Sequence, residues 1–400
     1  MSQSALRNVA SYHSLRLAWD QVLTNSNPRT RNARQSGESI NEFSTRRDER
    51  LSSLRARMLS SSGYDFSSLR PVILPKSGGG NRIICVPSVE DRVVQRATLN
   101  YLTDGDKCGI KNTISYGFIQ DRGVKKAVTK ACSLRAKNPW AYKTDIQKFF
   151  DRIDRERLKS EVRRHIKQRS LHQLVIRVID CEIEKQNGSK EKKIYSAGIR
   201  KGKGIRQGMP LSPLLANLVL KKFDRKVETT GYKMLRYADD LIAFEESEEK
   251  CKIIHNFIEV ELAKVGHNVP PPGPNSKTVI YAPSGSAEYL GMGIVNNGTK
   301  YIPVITKEQK TKILQAMADS NTFEQLVISG ITIGRLAQRL EATIAGYIAA
   351  YEPCKNLNDF INALDSNRSK IMTKIFEDGL GLSLSCLNDD QRAFLGLLVK

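Results

Sequence analysis

Two adjacent acids, Asp239 and Asp240, are the residues of this sequence best suited to chemistry. Short apolar and aromatic runs at 232–237 and 241–244 flank them, with strand propensity and little helical periodicity. This pattern predicts a β-hairpin with the acids at its turn. Neighbouring carboxylates repel each other unless cations neutralise them, so the pair indicates a Mg²⁺-assisted phosphoryl-transfer site. The alternative is an ordinary solvated Asp-Asp turn.

A third acid, Asp145, ends another strand-like segment upstream and opens the block Asp-Ile-Gln-Lys-Phe-Phe-Asp at 145–151. Between the two acidic positions lies Gln-Gly-Met-Pro-Leu-Ser-Pro at 207–213. Together with Tyr-Ala-Asp-Asp at 237–240, these blocks resemble the palm of a reverse transcriptase. Three blocks in the same order and spacing are a far more specific signal than any one of them.

The resemblance implies an α+β fold, a right-hand polymerase with fingers, a palm of antiparallel sheet and helices, and a helical thumb. We expect an N-terminal helical basic extension over residues 1–69 and fingers over 70–140. The palm would cover 141–300, with a fingers insertion around 155–203, and the helical thumb or C-terminal domain 301–400.

The resemblance also implies the catalytic machinery. Asp145 and Asp239 would bind two Mg²⁺ ions, with Asp240 assisting and the Ile146 carbonyl beside them; Mn²⁺ is the alternative metal. One ion would lower the pKa of the primer hydroxyl, and the other would neutralise the triphosphate and the leaving pyrophosphate.

Lys76 and Arg82 flank a glycine-rich turn between two apolar strands, which predicts a hairpin whose tip cradles an anion. The resemblance makes this the fingers hairpin that approaches the triphosphate; an ordinary flexible turn is the alternative. Phe150 falls where the family has a bulky gate against a ribose 2′-OH. Phe149 should face the core, since neighbouring strand side chains point to opposite faces.

Further roles come from the same resemblance. Gln207 and Gly208 would form the platform for template and nucleotide, because glycine permits close backbone approach and glutamine supplies an amide. Lys277, in a loop before a strand, would protonate the pyrophosphate leaving group. The segment around Tyr289, Leu290 and Gly291 would be the primer-grip hairpin.

Several local predictions rest on the residues themselves. Asp91 and Ser212 are expected to N-cap helices, and Asp154 to cap the basic helix that follows it. His255 is expected on a helix surface. Residues 190–203 should form a strongly basic loop or hairpin suited to contacts with a nucleic-acid backbone.

The composition favours a nucleic-acid partner. Lysine and arginine number 64 against 42 acids, and residues 111–230 hold 30 basic and 12 acidic side chains, +18 of the net +22. The alternative is a solvated basic face. The seven cysteines form no Cys-x-x-Cys pair, which disfavours a zinc site. No apolar run reaches membrane-span length, and no secretory signal opens the sequence, which indicates a cytoplasmic protein without a membrane partner.

The expected function is RNA-directed DNA synthesis from dNTPs on an RNA template, yielding a DNA product from a primer. Ser212-Pro213 differs from the Ser-Gln of diversity-generating enzymes, and the Asn-Ala-x-x-His of retrons is absent. Elimination favours a stand-alone bacterial enzyme of antiviral defence that copies a non-coding RNA. A group II intron-like or retron-like enzyme, an RNA polymerase, and a non-enzymatic splicing or chaperone protein remain alternatives. The sequence leaves oligomers and partner proteins open.

Overall fold

The structure is a computed structural model that describes residues 4–33, 37–76, 79–273, 275–395 and 397. Helices predominate and the paired strands are antiparallel, which confirms the predicted α+β class. Within the described ranges, no helix is both long enough and apolar enough to cross a bilayer. The domain boundaries expected from the sequence stay predictions.

Helices and strands are numbered in chain order. The helices are α1 Ala5–Val9, α2 Tyr12–Thr24, α3 Ile40–Thr45, α4 Arg47–Leu59, α5 Val89–Thr103, α6 Val124–Arg135, α7 Phe149–Arg152, α8 Arg155–His165, α9 His172–Ile179, α10 Ser189–Ser196, α11 Ser212–Thr230, α12 Glu248–Ala263, α13 Lys307–Asp319, α14 Phe323–Ile328, α15 Ile333–Tyr351, α16 Leu357–Lys374 and α17 Asp389–Phe394. The strands are β1 Arg70–Pro75, β2 Asn81–Val86, β3 Trp140–Asp145, β4 Lys233–Tyr237, β5 Asp240–Glu245, β6 Val279–Tyr281, β7 Ala287–Tyr289, β8 Met292–Asn296 and β9 Tyr301–Val304.

In the described part of the chain, the strands form three sheets. Strands β1 and β2 form a two-stranded hairpin, and β7, β8 and β9 form a three-stranded meander. The third sheet has the order β4-β5-β3-β6, so the strand that ends in Asp145 lies next to the strand that begins with Asp240. This strand order is what brings the separated acidic blocks to one region.

The chain divides into two compact units, each assembled from separate stretches. The first contains Met1–Arg122, Thr144–Leu241 and Ile253–Thr278, and the second contains Gly123–Lys143, Ile242–Lys252 and Val279–Lys400.

The N-terminal helices of the first unit pack through apolar residues at helical spacing, as the sequence predicts. The α2 face that includes Leu15 and Trp19 is buried, and the Trp19 ring stacks on Phe43 with centroids 4.5 Å apart. The β1–β2 hairpin predicted around the glycine-rich turn is present, with Arg70 opposite Val86. Ser77 and Gly78 of its predicted tip lie outside the described residues.

Two predicted N-caps are wrong. Ser88, not Asp91, caps α5, because its side chain accepts the Asp91 amide; the Asp91 carboxylate is instead buried and accepts from the Tyr64 hydroxyl at 2.8 Å. Ser212 is the first residue of α11 rather than its cap, and its hydroxyl donates to the Arg206 carbonyl at 2.7 Å. The predicted cap at Asp154 is confirmed, since its carboxylate accepts the Arg157 amide at 2.8 Å.

Three other local predictions need correction. His255 is buried rather than on a helix surface, because the α12 face that carries it is covered. Residues 190–203 are not a loop or hairpin throughout, since Ser189–Ser196 is helical. Phe149 is buried as expected, but it begins a helical turn rather than occupying a strand, so strand alternation does not explain its direction.

His267 is a buried histidine next to this turn. Its ring meets Phe149 edge-on with centroids 4.9 Å apart, and neither ring nitrogen has a hydrogen-bond partner among the described residues. Burial, together with the charges of Arg152 and Arg157, lowers the pKa of His267 to about 4. The imidazole is therefore neutral near pH 7.

The second unit combines the β7–β8–β9 meander with the C-terminal helices. Arg135 of α6 is fully buried within it, and no carboxylate in the described part of the chain pairs with it; its guanidinium donates to the carbonyls of Ile294, Ala282 and Gly285 and stacks on Tyr301. These bonds join the chain before β7 to β8.

Candidate active site

The turn that carries the paired acids is held by a buried ion pair. Ala238 adopts φ 56, in the left-handed region, between β4 and β5, as the predicted hairpin requires. Arg236 at the end of β4 is fully buried and makes a bidentate contact with Asp224 of α11 at 2.7 and 2.5 Å. Its guanidinium also donates to the Ala238 carbonyl and to the Asn217 side chain, each at 3.0 Å. The position of Asp239 is therefore fixed from α11.

A loop before α6 closes on the same turn. A Cβ atom on Gly117 would lie only 2.5 Å from the Ala238 nitrogen, so no larger residue fits there without displacing the acidic turn. The Tyr116 amide donates to the Arg236 carbonyl at 2.8 Å, and the Asn217 amide donates to the Gly117 carbonyl at 3.1 Å. The segment Ser-Tyr-Gly-Phe at 115–118 thus borders the acids.

Asp145 and Asp239, which are far apart in the sequence, meet in this structure. The Ile146 amide donates to the Asp239 carbonyl at 2.9 Å, and both carboxylates line one cavity of about 470 Å³. Lys277 lines it too, and its ammonium contacts Asp145 Oδ2. The Thr144 and Thr278 hydroxyls, hydrogen-bonded at 2.6 Å, join the segments that carry these two side chains.

Burial and neighbouring charges both act on the carboxylates of this cavity. Burial raises the pKa of Asp239 and the negative charge of Asp145 raises it further, whereas Lys277 and Arg82 act in the opposite direction. Two carboxylates and the Ile146 backbone are the oxygen donors that Mg²⁺ prefers, so the residues fit a divalent cation. In the described part of the chain, no three His, Cys, Asp or Glu side chains are grouped closely enough to hold a metal ion.

The same cavity is lined by the residues expected to face a nucleotide, which form its nucleotide-facing wall. These are Lys76, Arg82, Phe150 and Gln207. The β1–β2 hairpin supplies the two cations, the α7 turn supplies Phe150, and the segment before α11 supplies Gln207. The cavity therefore combines cations and an amide with the carboxylates.

Gly208 lies next to this wall because the chain passes very close to β2. The Cys85 amide donates to the Gln207 carbonyl at 2.7 Å, and a Cβ on Gly208, which has φ 105, would lie 2.6 Å from the Cys85 carbonyl oxygen. Glycine is thus required by both conformation and space.

Not every predicted residue is brought to the cavity. Asp240 begins β5, and among the described residues it is not part of the cavity lining. Tyr289, Leu290 and Gly291 belong to the second unit, where they form the turn of the β7–β8 hairpin with φ 52 at Leu290 and φ 79 at Gly291. The predicted hairpin itself is confirmed; its role as a primer grip stays a prediction.

Sequence reasoning missed residues that contribute to the site from outside the motifs. Lys148 and Arg152 line the cavity, and the chain at Lys148 takes φ 48, a conformation that no propensity indicates. Asp151 lines it as well, with its pKa raised by burial. The signal for Arg236 was a charged residue between apolar and aromatic neighbours, three positions before Asp239.

Comparisons with known proteins agree with this geometry. A family model described as "Reverse transcriptase (RNA-dependent DNA polymerase)" matches residues 74–294, more than half of the chain. Protein YkfC of Escherichia coli is 30% identical over 181 residues, which are 44% of this chain and 44% of that protein. The putative COX1/OXI3 intron 1 protein of Saccharomyces cerevisiae is 26% identical over 41% of this chain and 19% of its own length.

Among solved structures, a partial Cas6-RT-Cas1–Cas2 complex is similar with a TM-score of 0.36 and 23% identity, covering 66% of this chain and 42% of that one. The chain spans less than half the length of these two sequence relatives. The family model matches more than half of the chain and includes every segment that lines the cavity. This extent decides the assignment. The chain belongs to the reverse transcriptase family.

Proposed function

We propose that this protein is an RNA-directed DNA polymerase that extends a primer with dNTPs on an RNA template. The observation that carries the proposal is the single cavity that Asp145 and Asp239 share with Lys76, Arg82 and Gln207. Cations and two carboxylates that line one cavity suit a triphosphate that must be held while its α-phosphate is attacked.

The residues of the chain take distinct roles in this proposal. Lys76 and Arg82 bind the triphosphate, and Gln207 supports the nucleotide. Phe150 excludes a ribose 2′-OH by volume. Lys277 holds a proton at Nζ for the pyrophosphate leaving group, and its contact with Asp145 keeps it close to the reacting phosphates.

Asp145, Asp239 and the Ile146 carbonyl would hold Mg²⁺, with Asp240 assisting from the start of β5. When bound, two such cations would activate the primer hydroxyl and offset the charge of the triphosphate; Mn²⁺ would serve the same ligands. The pKa of Asp239, raised by burial and by the charge of Asp145, supports this assignment, because a bound cation would stabilise the charged form of a buried carboxylate that lies beside another.

The test is primer extension on an oligo(dT)–poly(rA) duplex with dTTP and Mg²⁺. Asp239→Asn keeps the shape but removes the charge, and we expect it to abolish extension while thermal unfolding stays close to wild type. The matched control is Asp20→Asn, the same substitution on the exposed side of α2, which should retain activity. A folded Asp239→Asn or Asp239→Ala protein that extends primers would falsify the assignment.

The preference for a deoxynucleotide over a ribonucleotide distinguishes this function from RNA synthesis. The wild-type protein should incorporate dTTP in preference to UTP, and Phe150→Ala should narrow that preference by admitting the 2′-OH. Equal use of both nucleotides by the wild type would favour an RNA polymerase instead.

We further propose that the template is a non-coding RNA and that DNA synthesis serves antiviral defence in a bacterial cytoplasm. The support is elimination among branches of the family, together with the basic excess over residues 111–230. Sequencing the RNA that co-purifies with the protein, and the DNA made from it, tests the template. Phage plating on cells that carry wild type or Asp239→Asn tests the role; equal plaque counts would reject it.

A second candidate is an intron-associated function, favoured by the similarity to an intron-encoded yeast protein. Co-purification of an intron RNA, with splicing of that intron retained in Asp239→Asn, would support it over the defence role.

A further inference from the structure

We infer that Glu182, which lies outside the catalytic cavity, is a positioning residue that fixes the nucleotide-facing wall and thereby sets nucleotide affinity and sugar selectivity. This inference rests on the proposed function, because it assigns the wall formed by Phe150, Gln207 and the β1–β2 hairpin to nucleotide binding. Three sets of contacts from this one residue, all within the first unit, carry it.

The first set is a buried ionic cluster. The Glu182 carboxylate accepts from Arg155 Nη1 at 2.8 Å and from Arg206 Nη2 at 2.5 Å. It also accepts the Gly202 backbone amide at 2.7 Å. The Arg155 and Arg206 side chains are 6% and 1% exposed, and Glu182 is the carboxylate partner of both. A single side chain thus neutralises two buried guanidinium groups.

The second set of contacts connects this cluster to the backbone of Phe150. Arg206 directly precedes Gln207, and its guanidinium also donates to the Arg200 and Lys203 carbonyls, which closes the loop 200–206 on itself. That loop lies against the α7 turn: the Ile205 amide donates to the Phe150 carbonyl at 2.9 Å. A Cβ on Gly204 would lie 2.7 Å from the same carbonyl oxygen. The loop therefore determines where the Phe150 backbone sits.

The third set joins the fingers hairpin. The Leu69 amide donates to the Glu182 carbonyl at 2.8 Å, and the Leu69 carbonyl accepts the Glu184 amide at 3.0 Å. Arg70, the next residue, begins β1, the strand that leads to Lys76. The backbone at Glu182 thus anchors the base of the hairpin, while its side chain anchors the loop before Gln207.

Glu182 is consequently the residue at which the supports of three cavity-lining segments meet, although it does not line the cavity. Loss of its charge would leave two guanidinium groups competing for carbonyl oxygens, and the loop 200–206 would shift against Phe150. A displacement of this kind alters substrate placement without touching the carboxylates that carry the chemistry.

The experiment compares Glu182→Gln and Glu182→Asp with Glu184→Gln, the same amide substitution two residues away on a side chain whose carboxylate, among the described residues, contacts only Gln186. Single-nucleotide incorporation gives kcat and KM for dTTP and for UTP, and hydrogen exchange reports the Gly204 and Ile205 amides. We expect Glu182→Gln to lower kcat/KM for dTTP by about tenfold or more, mainly through KM, and to narrow the dTTP/UTP ratio. The Gly204 and Ile205 amides should exchange faster, Glu182→Asp should lie between, and Glu184→Gln should match wild type.

A structural role alone gives a different pattern. If Glu182→Gln lowers the melting temperature or kcat but leaves KM, the sugar ratio and the two amides unchanged, the inference is wrong. Failure of the conservative Glu182→Asp variant to fold would also overturn it, because the residue would then be needed for the whole unit. If the wild type is inactive but the Ile205 amide exchanges faster in Glu182→Gln, the polymerase function is refuted and the role of Glu182 in anchoring the loop stands.

Discussion

Substitutions in the buried ion pair between Arg236 and Asp224 test most directly how the acidic turn is held. Either partner can be removed by a substitution of similar size, Arg236→Met or Asp224→Leu. Because the side chains are 1% and 2% exposed, each single substitution leaves a full charge in the interior with no carboxylate or guanidinium to match it. We therefore expect each to destabilise the first unit by about 3–5 kcal/mol.

The double variant should behave differently. With both charges gone, the remaining loss is chiefly three hydrogen bonds, those from Arg236 to Asn217 and to the Ala238 carbonyl and that from Asn112 to Asp224, worth about 1 kcal/mol each. The double variant should thus lose about 3 kcal/mol, well below the sum of the single variants.

Urea unfolding followed by fluorescence measures these differences, since Trp19 is buried in the first unit and reports on it. The control is Glu246→Gln, which breaks an exposed ion pair with Lys250 and should not change stability measurably. Primer extension by the double variant should remain impaired, because the Ala238 carbonyl loses its donor. Additive single and double losses would contradict the view that the two charges are matched only by each other.

Three further outcomes are expected. Burial holds the pKa of His267 at about 4, so as the pH falls the unfolded chain takes up a proton before the native state does. The free energy of unfolding should therefore fall by about 3 kcal/mol as pH drops from 6.5 to 4. Urea unfolding of His267→Phe should show a smaller fall in this free energy. Gly117→Ala should destabilise the protein and abolish extension because its Cβ meets Ala238, whereas Gly346→Ala in α15, with open space around it, should be stabilising in thermal unfolding. Arg135→Lys should lower the melting temperature nearly as far as Arg135→Met, because an ammonium lacks the planar fork that reaches three carbonyls.

The sequence predicted those parts of the fold that local spacing determines. The hairpins at β1–β2 and β4–β5 and the C-terminal helices follow from turn residues, strand propensity and apolar periodicity, whereas the β7–β8 hairpin was expected from the family resemblance. The proximity of Asp145 and Asp239 came from family resemblance rather than from spacing. No local pattern specifies that β3 and β5 are neighbours in a sheet.

Features that depend on distant partners were missed or misassigned. Asp91 looks like a cap until Tyr64 is brought against it, and His255 looks exposed until the buried face of α12 is known. The cluster around Glu182 joins residues separated by 27 and 24 positions, and nothing in its own neighbourhood distinguishes Glu182 from Glu184. Burial of charge is decided by packing, which single-sequence patterns do not report.

The discontinuous first unit has a consequence for synthesis on the ribosome. The last stretch of this unit ends at Thr278, whose hydroxyl bonds that of Thr144. Lys277 and Thr278 are therefore translated well after both Asp145 and Asp239. At about 5–20 residues per second, the nascent chain spends seconds with its acids exposed and their lysine absent. Fragments that stop before residue 278 should therefore be poor starting points for a minimal active protein, however completely they retain the acidic motifs.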